Sequence, residues 1–194
     1  MSIATRDELI ATVQDYSLRS DAPVASFITV FESEIRPRVE HSFFSETIAD
    51  IPIADGKIAL PADFKRVRSV QVDNFKTRQL GIRDALVYDD EVGYRQVGRA
   101  YHFVGRTDIE NAQLVYTAKI APLTEDNPTN WLLEEFPNVY LQGVLARLYQ
   151  WANDDVAAAN AKQNLAEALA VVAEDDRQAR IPAAPNEFGG AAAW

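Results

Sequence analysis

The chain contains no cysteine. Disulfide frameworks, thiolate metal sites and cysteine nucleophiles are excluded together, and the absence fits synthesis in a reducing cytosol. Histidine is nearly missing as well: His41 and His102 are the only two. His41 stands at the end of a helical pattern beside Phe43-Phe44, and His102 alternates with Tyr101 and Phe103 in a strand pattern. Neither has a second histidine or a carboxylate at ligand spacing, so both read as surface or partly packed side chains. No run approaches the roughly 20 apolar residues that a membrane span requires. The longer uncharged windows, such as Val156 to Ala161, are alanine-rich helix. Met1 to Glu8 turns acidic within a few residues, with no basic stretch leading into an apolar run, so no signal peptide is expected.

What is present is ordinary globular material. The 194 residues are 47% hydrophobic and 25% charged, enough for one sizeable domain with a buried core, or a compact domain with long appendages. The net charge of -10 is unevenly spread: residues 1–63 carry -6, residues 64–119 carry +3 and residues 120–194 carry -7. An acidic chain does not grip a phosphate backbone by counterion release. A wall that DNA slides past remains compatible with this charge, and the opposite signs of middle and flanks suit self-association.

Thr5-Arg6-Asp7-Glu8 has the form of a capping box, with Leu9, Ile10, Val13 and Tyr16 following at helical spacing. A first helix is expected from about Arg6 to Leu18. Val24, Phe27, Ile28, Phe31, Ile35 and Val39 form the apolar face of a second, expected to reach about His41 with a kink at Pro37. Near residue 46 the pattern changes. Short runs around Asp55-Gly56 predict a hairpin, and Leu60-Pro61-Ala62-Asp63-Phe64 predicts a corner. Further strands are expected at Val67 to Asn74, Tyr94 to Val97, Ala100 to Val104 and Gln113 to Ala118, with a short helix over Arg83 to Asp90. Helices then return: a short turn at Trp131 to Phe136, a longer helix from about Asn138, and a last one capped by Asp154-Asp155 and running to about Arg180. Ile181 to Trp194 has no period and carries Phe188 and Trp194 as apolar anchors. The expected fold class is α+β. N-terminal helices (1–45) and C-terminal helices (122–180) form one bundle, residues 46–121 a small antiparallel β insertion, and residues 181–194 an extended arm.

Catalytic constellations are scarce. Gly93 and Gly98 have four residues between them, as in a phosphate loop, but Arg99-Ala100 follows where Lys and Ser or Thr are required. The two glycines are read instead as hairpin bends. Asp89-Asp90-Glu91, Asp154-Asp155 and Glu174-Asp175-Asp176 are acidic runs of a kind that any acidic protein offers, and read as solvated faces or helix caps. No serine has the context of a nucleophile elbow. No catalytic residue, cofactor or metal is assigned. The conspicuous feature is aromatic: Trp131, Phe136, Tyr140, Tyr149 and Trp151 fall within about twenty residues, at spacing that usually denotes core.

The block Asn130-Trp131-Leu132-Leu133, followed by Phe136-Pro137-Asn138-Val139-Tyr140-Leu141, resembles the phage head–tail adaptor family. Tyr116 to Thr124, Leu60-Pro61-Ala62-Asp63-Phe64, and Arg6 to Ile10 with the Phe27-Ile28 helix extend the resemblance over roughly residues 5–180. The resemblance implies a structural virion protein rather than an enzyme, made in the host bacterial cytoplasm and placed in the neck or tail region. Such subunits form a ring of about twelve copies beneath the portal protein. The ring extends the DNA channel, which DNA traverses without sequence-specific binding, and docks tail or nozzle proteins, with no membrane involved. Ile181, Pro182, Pro185, Phe188 and Trp194 would then belong to an arm that grips the portal. Leu60, Pro61, Phe64, Asn130, Trp131, Leu132, Leu133 and Tyr140 are the signature, with Asn130 expected to cap a helix and Trp131 to pack a junction. Two other readings stay open: another neck component, such as a stopper or tail completion protein, and a neck-associated peptidoglycan hydrolase.

Overall fold

Thr5 starts the first helix as its capping box predicts: its hydroxyl accepts from the Glu8 N–H, and the Glu8 carboxylate accepts from the Thr5 N–H. The computed structural model describes residues 3–81, 84, 86, 91–106 and 108–180. Helix α1 (Arg6–Ser17) buries Leu9 and Val13. Helix α2 (Val24–Ile35) buries Val24, Ile28, Phe31 and Ile35, one face of a helix. It stops at Ile35 instead of continuing to His41. Pro37 has no N–H to extend the ladder, and the chain leaves in a turn rather than a kink. A single helical turn, α3 (Ser42–Ser45), then begins at His41, which the periodicity does not predict.

Eight strands follow among the described residues. They are β1 (Glu46–Pro52), β2 (Lys57–Ala59), β3 (Phe64–Val72), β4 (Phe75–Lys76), β5 (Arg78–Gln79), β6 (Val92–Val97), β7 (Ala100–Gly105) and β8 (Asn111–Ala118). They form two four-stranded sheets, ordered β1-β8-β3-β4 and β2-β7-β6-β5. Asp55 and Gly56 both take left-handed dihedrals, and Ala54 bridges to Lys57, so the expected tight turn is present. Ala54 and Lys57 exchange both hydrogen bonds of a hairpin turn, but the flanking strands do not extend the pairing. β1 pairs with β8 and β2 with β7, so the turn is a corner between sheets. The insertion is also not wholly antiparallel, because β5 pairs with β6 in parallel. Gly98 (φ 60°) makes the β6–β7 turn, but Gly93 lies inside β6, where an added Cβ would collide with the Leu80 side chain. Only one of the two glycines therefore marks a bend. Ile58, Val70, Tyr94, Tyr101, Leu114 and Tyr116 lie in a core between the two sheets. Most of the helix expected over Arg83 to Asp90 falls outside the described residues.

The chain returns through α4 (Trp131–Glu135), α5 (Pro137–Trp151) and α6 (Asp155–Ala179). Pro137 opens α5, where a missing N–H costs nothing, and the Asp154 carboxylate caps α6 on the Ala157 N–H at 3.0 Å. These helices share one core with α1 and α2. Arg6 N–H donates to Pro128 O at one end of the bundle, and Arg19 lies over Trp151 at the other, so α1 and α5 run in the same direction. Lys65 Nζ of β3 donates to Val39 O (2.9 Å) and ties the β unit to the helical part, while Arg36 Nε holds Ile120 O just past β8 (2.6 Å).

Candidate functional site

Asn130 sits where the chain leaves the β region. Its Oδ1 accepts from the Leu133 N–H at 3.0 Å and caps α4. Its amide nitrogen donates to Ala121 O and to the Tyr140 hydroxyl, both at 2.8 Å. The Tyr140 hydroxyl donates in turn to Glu32 Oε1 at 2.8 Å, and the Leu123 N–H reaches the same oxygen at 2.9 Å. All three side chains are buried. Burial raises the Glu32 carboxyl above its ordinary range, against the opposing pull of Leu123 and Tyr140. Burial, followed by the Glu32 charge, pushes the Tyr140 hydroxyl up and keeps it a donor. The network holds α2, the loop after β8, α4 and α5 in one register.

Trp131 stacks on Phe44 with centroids 5.5 Å apart and meets Phe136 edge-on, which joins α4 to α3. Leu132 and Leu133 are wholly buried. The other part of the signature is a second corner. The Phe64 N–H donates to Pro61 O at 3.1 Å, Phe64 packs on Tyr101 and Tyr116, and Leu60 packs against the β core. Asn130, Leu132, Leu133 and Tyr140 thus face the interior and offer little to a partner.

A second junction has no counterpart in local spacing. His41 is 1% exposed, not a surface or partly packed residue. Its Nδ1 accepts from the Phe43 N–H (3.2 Å), and that bond assigns the ring proton to Nε2, which lies 3.0 Å from Asp175 Oδ2, 134 residues away. The next residue, Asp176, accepts from the Ser42 N–H (2.6 Å) and pairs with Arg180 (2.6 Å). Partial burial opposes the charge on Asp176, but the Ser42 N–H and Arg180 outweigh it and hold the carboxyl at about 2. The end of α6 thereby gives the first N–H of α3, that of Ser42, its acceptor, while His41 caps the Phe43 N–H. Glu174-Asp175-Asp176 is partly a cap, although for a helix distant in sequence. His102 lies half-buried in β7.

Among the surface hollows are two with charged linings. One, of about 360 Å³, is lined by Asp50, Asp73, Asp108 and Glu110. Arg106 pairs with Asp73 and Asp108, and Asp50 accepts from Gln113. The other, of about 520 Å³, lies at the joint of the two cores and presents Arg36, Lys65 and Lys119. Burial there lowers the Lys65 ammonium below its ordinary range, partly offset by Glu40. Among the described residues, no group of three or more His, Asp or Glu side chains could hold a metal ion. No described helix is long and apolar enough to cross a membrane. The expected arm, with Ile181, Pro182, Pro185, Phe188 and Trp194, lies outside the described residues.

In comparison with known proteins, the family model described as SU10 adaptor protein matches residues 4–187. No curated protein matches the chain.

Proposed function

The chain belongs to the SU10 adaptor protein family of phage head–tail adaptors, a structural role in the phage neck, and from that premise we propose that it forms a ring beneath the portal. In this reading about twelve copies close into the ring. The ring extends the DNA channel and docks tail or nozzle proteins on its far side. The bundle and β unit supply a rigid body, and residues 181–194 supply an arm that grips the portal. The observation that carries the reading is the family match, which takes in both cores and reaches into the arm. The net charge of -10 fits a lumen wall that DNA passes without sticking.

The test is deletion of residues 181–194. The shortened chain is offered to purified portal rings alone and to purified tail proteins alone. We expect loss of portal binding with an unchanged circular dichroism spectrum and melting temperature, because the signature network and both cores lie upstream of residue 181. A truncated chain that joins portal rings normally refutes the arm. A full-length chain that binds tail proteins but never portal favours a stopper or tail completion role instead.

A further inference from the structure

Leu18 ends α1 in the left-handed region (φ 54°) with 89% of its surface exposed. That conformation at a helix C-terminus favours glycine or asparagine, because a side chain crowds the following carbonyl. The turn after α5 follows the rule, with Asn153 at φ 57°. Leu18 breaks it, and the contacts that repay buried leucines are not available to a side chain so exposed. A strained and solvated leucine points to a surface that is covered in use.

Its neighbourhood supports this. The ends of α1 and α5 are held together by the Arg19 guanidinium, 5.6 Å from the Trp151 ring centre. Trp151 is 45% exposed, and Tyr16 and Val156 are more exposed still. The same two turns carry four exposed carboxylates, on Asp15, Asp21, Asp154 and Asp155, against the single cation Arg19. We propose that this end of the bundle docks a second protein whose surface presents apolar side chains framed by lysine or arginine. Charge and symmetry argue against a second copy end-on. Two such acidic ends repel, and an end-to-opposite-end contact would stack copies into an open chain rather than a ring. The surface also lies at the far end of α6 from Arg180, because α6 runs from here over its 25 residues, about 37 Å, before the chain passes to residue 181. The proposal rests on the adaptor reading and assigns this end to the tail side.

The test uses the full chain with Leu18→Asn and, separately, Val156→Lys. Each is titrated against purified tail-side protein of the same phage and against purified portal rings. Leu18→Asn relieves backbone strain, so its melting temperature is expected to rise by about 2 °C while affinity for the tail-side protein falls by about tenfold or more. Val156→Lys is expected to weaken the same binding, and both are expected to keep portal binding. Unchanged tail-side affinity in both variants overturns the proposal. A lower melting temperature for Leu18→Asn also overturns it, because the leucine would then serve the fold. Self-association that Leu18→Asn abolishes would make the occupant a second copy and refute the choice of partner. A wild-type chain that binds portal but no tail-side protein refutes this surface alone; one that binds neither refutes the adaptor reading and this inference with it.

Discussion

The Tyr140 hydroxyl donates to the Glu32 carboxylate at 2.8 Å across 108 residues of sequence. Both side chains are buried, and the Leu123 N–H shares the same Glu32 oxygen. The Asn130 amide closes the chain of bonds from the other side. Removing one member therefore leaves buried polar atoms unpaired, which costs more than the bond itself contributes. Tyr140→Phe is expected to destabilise the protein by about 1–3 kcal/mol. The check is the urea midpoint at constant slope; an unchanged midpoint sinks the argument.

Glu32→Gln keeps an acceptor at the same place and removes the buried charge. The Glu32 carboxyl is raised above its ordinary value of 4.5. Such a group contributes stability that is complete below the unfolded value and is lost as pH rises through the folded one. The stability of Glu32→Gln relative to wild type is therefore expected to increase with pH in the window above 4.5. Urea titrations at successive pH values read this directly. A difference that stays flat across the window contradicts the burial account.

Asp176 has the opposite sign. Its carboxyl is held at about 2, below its ordinary 3.8, so its contribution is present above 3.8 and lost as pH falls through about 2. Asp176→Asn is expected to be less stable than wild type at neutral pH by about 1.5–3 kcal/mol, the scale of hydrogen bonds to a charged group. The deficit is expected to narrow between 3.8 and 2. Amide exchange at Ser42 should rise in this variant, because its charged acceptor is replaced by a weaker one; unchanged protection there would count against the junction.

Gly143 faces the Phe31 ring across the contact between α2 and α5, and an added Cβ would overlap three of its carbons. Phe31 is itself buried and packs edge-on to Tyr140 at 5.6 Å. Gly143→Ala normally favours a helix, yet here it is expected to destabilise by about 1–3 kcal/mol through overpacking. Thermal melts of this variant beside Gly143→Ala/Phe31→Leu decide the point. Failure of the second change to restore stability would place the strain elsewhere.

Much of the helical part was legible because its signals are local. The Thr5 and Glu8 cap, the Asp154 cap and the periodic faces of α2 and α5 each lie within a few residues of what they control. Pro37 was visible too, but whether it kinks or ends a helix depends on what the next turn can bury. The strand partners on either side of Asp55-Gly56 were not legible for a different reason. Asp55-Gly56 specifies a tight turn but not the partners of its flanks, and β8 lies more than fifty residues downstream. The two junctions were less accessible still. No spacing rule connects Glu32 to Tyr140, or His41 to Asp175.

Asn130-Trp131-Leu132-Leu133 shows where the division falls. By itself the sequence determined the composition of the core, the helix caps and the family resemblance, because these depend on residue type and short-range order. Tertiary structure alone decided that Asn130, Leu132 and Leu133 of that block form an interior joint rather than a contact surface, and that Leu18 at the end of α1 is left exposed. The physical reason is that burial and hydrogen-bond satisfaction belong to pairs of distant groups. They are set only when the helices from both ends of the chain close around them.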